Sequence, residues 1–115
     1  MDGPSEEKIT PLIAEALIPI LALLFHHDLS IRKVAAFTIS RISEFHSLVI
    51  LQHSKFPEIL PKILEVLNDK PVVSKKICFI LGFLSESMSK TIDNSMTKMM
   101  TLYKIFLFRY FSFAH

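Results

Sequence analysis

The sequence predicts an all-α protein built from stacked helical hairpins. Three observations predict it. Apolar residues recur at steps of three and four through most of the chain, the spacing that gives a helix one buried face. Half of the 115 residues are hydrophobic and only 2 are glycine, a composition that favours an ordered helical chain over a disordered one. The segment "VAAFTISRISEF", beginning at Val34, returns in looser form as "KICFILGFLSES" from Lys76, 42 residues later.

The elements follow in order. Residues 1–7 read as a polar lead-in with a Gly3-Pro4 turn. A first helix spans Lys8 to His26, with Ile9, Leu12, Ile13, Ala16, Leu17, Ile20, Leu21 and Leu24 on its inner face. Pro11 suits its first turn, and Pro19 predicts a kink or restart, because an interior proline removes a helix hydrogen bond. "HHDLS" is a short connection in which Asp28 or Ser30 can cap the next helix. That second helix runs from Ser30 to Phe45, with Ile31, Val34, Ala35, Thr38, Ile42 and Phe45 facing inward. Residues 46–55 read as a linker. A third helix covers Pro57 to Leu67, "NDKP" forms a turn with Asn68 or Asp69 as a cap, and a fourth helix covers Val72 to Met88. "SKTIDNS" reads as a polar loop, and a last helix covers Met96 to Phe113.

At an offset of 42 residues, Pro19 matches Pro61, Phe37 matches Phe79, and Ser43 and Glu44 match Ser85 and Glu86. A helical pair recurring at this period is the signature of HEAT and armadillo repeats. One pair has apolar surface on two sides and cannot cover it alone, so pairs stack. The fold class expected is therefore a HEAT-repeat α-solenoid fragment. Its organisation is a lead-in at 1–7, repeats at 8–46 and 47–90, and a loop with a divergent C-terminal helix at 91–115. The alternative is two coincidentally similar hairpins in an ordinary helical bundle.

Composition excludes several function classes. Formal net charge is +2 and basic residues are scattered among acids, so no nucleic-acid footprint forms. Two glycines cannot build a phosphate loop. No catalytic constellation stands out, and the expectation is a non-enzyme without cofactor or metal. "HHD" at 26–28 holds metal-capable side chains, but neighbouring helical residues point apart. Cys78 is the only cysteine; it excludes an intrachain disulfide, fits a reducing compartment and reads as a small core residue. The C-terminal stretch "MMTLYKIFLFRYFSFAH" is interrupted by Lys104 and Arg109 and falls short of the ~20 apolar residues of a membrane span.

The candidate binding residues are Phe37, Arg41, Glu44, Phe79 and Glu86. Phe37 and Phe79 read either as core aromatics or as a ladder of exposed rings on successive second helices. In the second case they would pack on basic side chains through cation–π contacts, with Glu44 and Glu86 supplying negative charge.

The stretch "GPSEEKITPLIAEALIPILALLFHHDLSIRKVAAFTISRISEF", followed by "PVVSKKICFILGFLSES", resembles a middle segment of the importin beta (karyopherin beta) family over about residues 3–90. The resemblance implies a long solenoid receptor that wraps the basic segment of importin alpha, or basic cargo, binds nucleoporins and releases cargo to Ran, in the cytoplasm and nucleus. It puts Phe37 and Phe79 where the family has tryptophan against the basic segment, and Arg41 on the arginine of the family's "GRI" run, with Ser40 in place of glycine. Lys76 departs from the neutral polar residue of the family and would repel a basic ligand. After about residue 90 the match fades.

Three other readings stand beside this one. They are a HEAT scaffold of another assembly, such as a phosphatase or chromosome-organising complex; a truncated fragment without function of its own; and membrane association through residues 96–115 with Lys98, Lys104 and Arg109.

Overall fold

The computed structural model describes residues 6–90, with side chains from residue 8 onward. The order is α1 (Glu6–Leu23), α2 (Leu29–Leu51), α3 (Phe56–Glu65), a 3-10 turn (Val66–Asn68) and α4 (Pro71–Lys90). The expected helix at 96–113 and most of the lead-in lie outside the described residues, as does the loop before that helix except Ser89 and Lys90, which belong to α4.

Helix α1 continues through both Pro11 and Pro19, so the expected restart is absent. Pro19 leaves the Glu15 carbonyl without its helical donor, but both residues are exposed and water can serve that oxygen. The buried stripe of α1 is Leu17 and Leu21, continued by Leu24 just past its end, whereas Leu12 and Ala16, expected inside, are exposed. The Asp28 carboxylate caps α2 by accepting the Ser30 N–H at 2.9 Å.

Helix α2 departs most from expectation. It does not stop at Phe45 but continues to Leu51 across a kink at His46, so the expected linker at 46–55 is largely helical and buries Ile50 and Leu51. Ahead of the kink the Ser43 hydroxyl donates to the Ile39 carbonyl at 2.8 Å and the Thr38 hydroxyl to the Val34 carbonyl at 2.8 Å. Such back-bonding competes with the helix ladder and bends it. The inner face is also rotated from the expected one. Ala35, Ala36, Ile39, Ser40 and Ser43 are buried, whereas Val34 and Phe45 are exposed.

Helix α3 begins with Pro57 in its first turn and carries the densest apolar face, with Phe56, Ile59, Leu60, Ile63 and Leu64 all buried. In the following turn Asp69, expected as a possible cap, ties the turn instead. Its carboxylate takes the Lys70 N–H at 2.6 Å and pairs with Arg32.

The expectation of an open HEAT-repeat α-solenoid does not hold, and the importin-beta-like solenoid architecture implied by the resemblance is corrected with it. Helix α2 packs more extensively on α4 than on its own hairpin partner α1, and α1 also touches α3. The Cα radius of gyration is 14.1 Å, close to the roughly 13 Å of a compact domain of this length. The helices close around one core instead of propagating a stack. The physical reason is that the two described hairpins turn their buried apolar sides towards each other and share a single core. The described residues form a compact four-helix all-α globule.

A single guanidinium fastens together the connecting turns of the two hairpins. Arg32 Nε and Nη2 donate to the two Asp69 carboxylate oxygens at 2.8 and 3.2 Å. Its Nη1 donates to the His26 and His27 carbonyls, in the connection between α1 and α2, at 3.0 and 3.1 Å. The same guanidinium holds the Asp69 carboxyl below its ordinary value, chiefly by hydrogen bonding.

By length and composition α2 is long and apolar enough to cross a membrane. It sits here between α1 and α4 with its small residues buried, as the central helix of the globule.

Candidate protein-binding face of α2 and α4

Because α2 and α4 are the most closely paired helices, their outer surfaces form one continuous face. Its upper part is aromatic. Phe37 of α2 is 49% exposed and Phe79 of α4 is 55% exposed, so both rings expose about half of their surface. Between them lies Lys76, whose Nζ is 5.5 Å from the centroid of each ring. That distance is inside the range in which a ring quadrupole attracts a cation. The two phenylalanines therefore form a clamp, and the protein's own lysine fills it.

Four residues on from Phe37, Arg41 lies 4.9 Å over the exposed ring of Phe45 and donates to Glu44 at 3.2 Å. On α4, Glu86 accepts from Lys90 at 3.1 Å. Both ion pairs are exposed helical i,i+3 or i,i+4 contacts, which contribute little to stability. The lower part of the face is polar. Ser43, Glu44 and Ser47 of α2 and Phe83, Glu86, Ser87 and Lys90 of α4 line a cleft of about 210 Å³. Ser47 and Ser87 share a hydrogen bond across it.

The sequence-derived residues thus divide into two groups on one face. Phe37 and Phe79 are brought together through Lys76, and Glu44 and Glu86 line the same cleft. Arg41 turns to Glu44 and Phe45. Sequence reasoning read Lys76 only as a repulsive departure, and it put Phe45 inside. The i,i+4 spacing of Arg41 with Phe45 and of Glu86 with Lys90 carried the missed signal.

Cys78, expected in the core, is exposed. The rings of His26 and His27 stack at 4.3 Å, and His26 Nδ1 accepts the Asp28 N–H at 3.0 Å. Among the described residues no group of three or more metal-ligating side chains converges.

A second cleft, of about 290 Å³, lies between α1 and the end of α2. There His53 Nδ1 accepts the Lys55 N–H at 3.0 Å, which leaves Nε2 to donate to the Ala14 carbonyl at 3.2 Å. Both ring nitrogens are engaged in fixing the chain, and that arrangement is structural.

No family model matches the chain, and no solved structure matches it.

Proposed function

We propose that this chain is a protein-binding module whose interface is the outer face of α2 and α4. The observation that supports this is the exposed Phe37–Lys76–Phe79 clamp, at equivalent positions of two paired helices. Large aromatic side chains left at the surface of a compact domain, next to Val34 and Phe45, form the kind of apolar patch that a partner covers. The experiment is isothermal binding of peptide ligands to the whole chain and to a Phe37→Ala, Phe79→Ala double variant whose helicity and melting are checked first. Loss of binding in a folded variant supports the face; unchanged binding removes it.

A second reading, recognition of a basic segment such as that of importin alpha or of basic cargo, draws on Glu44 and Glu86 beside the polar cleft. Nucleoporins, Ran and a role in nuclear import belong to that reading. Its test is binding of the importin alpha basic peptide at two salt concentrations. Salt-sensitive binding that the double variant loses supports it, and no binding by the folded chain removes it.

A further inference from the structure

We infer that the face takes an acidic amphipathic segment of a partner protein, with Lys76 as the group that selects its carboxylates. This rests on the binding-module reading and fixes the polarity of the ligand.

The argument starts from the clamp. A lysine against two aromatic rings packs its stem and keeps its charged head at the water surface, and the rings limit its rotamers. Lys76 is therefore preorganised with its ammonium at the surface of an apolar patch. Among the described residues it makes no ion pair. An incoming lysine or arginine would find the ring faces already engaged and a like charge beside them. A carboxylate would find a fixed, unneutralised donor.

The surrounding charges agree. No Asp or Glu occurs from Leu29 through Ser43 on α2 or from Pro71 through Ser85 on α4. Of the basic residues there, Arg32 is engaged by Asp69 and Arg41 by Glu44. Lys33, Lys75 and Lys76 make no ion pair among the described residues. At the other end of the face Glu44 and Glu86 are each neutralised by a basic residue on their own helix. The uncompensated charge of the face is positive.

Apolar footing lies beside that charge. Val34 and Phe37 are one turn apart on α2, and Val72, Lys76 and Phe79 share a face of α4 by their spacing. Val34, Phe37, Val72 and Phe79 are all exposed. An amphipathic helix laid along α2 and α4 would set its apolar side chains there and its carboxylates on the lysines.

Other occupants fit less well. Residues 94–115 of this chain contain Lys98, Lys104 and Arg109 and no Asp or Glu, the same sign as the face. A second copy in a twofold arrangement would set two faces of the same positive sign against each other. An anionic lipid surface would meet Lys76, but the neutralised pairs Arg41–Glu44 and Lys90–Glu86 at the other end of the face would give it no net positive charge to bind.

The test is selection from a display library of 16-residue helical peptides, random at apolar and charged positions, against the whole chain, Lys76→Glu, and Phe37→Ser, Phe79→Ser. The expected result is enrichment of Asp and Glu over Lys and Arg on the wild-type chain, reversed on Lys76→Glu. A selected acidic peptide should weaken at least about tenfold on Lys76→Glu and recover part of that loss at high salt, where the repulsion is screened. Enrichment of Lys and Arg on the wild-type chain overturns the polarity and leaves the binding module standing. No enrichment over the double-serine variant overturns both. Two further outcomes overturn the proposal. One is binding to phosphatidylserine vesicles that Lys76→Glu abolishes, with no peptide selected. The other is a dimer in sedimentation that the double-serine variant dissolves.

Discussion

Helix α2 has two faces with their bulk reversed. The inner one, between α1 and α4, carries Ala35, Ala36, Ile39, Ser40 and Ser43, all buried. The outer one carries Val34, Phe37, Phe45 and Leu48, all exposed. The small residues let neighbouring backbones approach, and the serine hydroxyls are satisfied by their own helix, Ser43 on Ile39 and Ser40 on the Phe37 carbonyl at 2.9 Å. Close packing at the centre of the globule thus sets an upper limit on side-chain size inside, and the outer face has no such limit. Large apolar groups on the unconstrained side are there without a packing reason among the described residues, which is why that side is read as the interface.

The comparison breaks most easily at Ile39, the one large side chain that α2 buries in its first half, at 0% exposure. Ile39→Ala should destabilise the fold by about 2–5 kcal/mol, the usual range for removing a buried aliphatic group. Urea unfolding followed by circular dichroism measures it. A loss below about 1 kcal/mol would mean that the inner face is not sealed as described.

Next in size is the Arg32–Asp69 fastening at the start of α2. Both side chains are mostly buried, with 17% and 16% exposure. Arg32→Ala should cost about 1.5–3 kcal/mol, since it removes charge-assisted bonds and leaves a carboxylate and two carbonyls short of donors. The pH dependence has a definite sign. Asp69 is held below its ordinary value of 3.8 by the Arg32 hydrogen bond first, then by the Lys70 N–H and both positive charges, with burial opposing. A lowered folded value means that the contribution is complete above the unfolded value and is lost as pH falls through the folded one. The gap between wild type and Arg32→Ala should stay constant from neutral pH down to about 4 and narrow below it. A gap independent of pH down to 2 would place the stabilisation elsewhere.

How much of this was legible follows from the same contrast. The four described helices were readable because their apolar spacing, the Asp28 cap and the Pro57 start are local signals. Which way α2 faced was not. Periodicity points to a bulky stripe, with Ile31, Val34, Ile42 and Phe45 on it, but the fold buries Ala36, Ile39, Ser40 and Ser43 beside it. Nothing local says that α2 will lie between two helices. The end of α2 was misread for a related reason: "HSLVIL" lacks a strong helix signal, and it stays helical because Ile50 and Leu51 are buried in the core. Among the candidate site residues, pairing of Phe37 with Phe79 followed from the repeat offset. Lys76 between them was not foreseen: its contact with Phe79 has i,i+3 spacing, but its contact with Phe37 crosses between helices and has no spacing rule in sequence.

On the outer side, Gly82 of α4 offers a smaller effect of opposite sign. A Cβ at this exposed helical position meets nothing within 4 Å. Gly82→Ala should therefore raise stability by about 0.5–1 kcal/mol, through helix propensity alone. A loss instead would show that the outer surface of α4 is covered in the free protein.

The smallest expected effect is the most informative. Lys76→Met keeps the length of the side chain and removes its charge. The shared cation–π contact at an exposed site is worth about 0.5–1 kcal/mol, and a thioether against two rings returns a similar amount. The melting temperature should therefore stay within about 2–4 °C of wild type, the shift that roughly 0.5 kcal/mol produces in a domain of this size. Lys76 then contributes almost nothing to the fold while standing at the centre of the exposed aromatic pair. A large drop in melting temperature would make Lys76 a structural rivet between α2 and α4, and the clamp would be explained without any partner. An unchanged fold with weakened binding of acidic peptides would separate the two faces of α2 completely, one held by packing and the other kept for recognition.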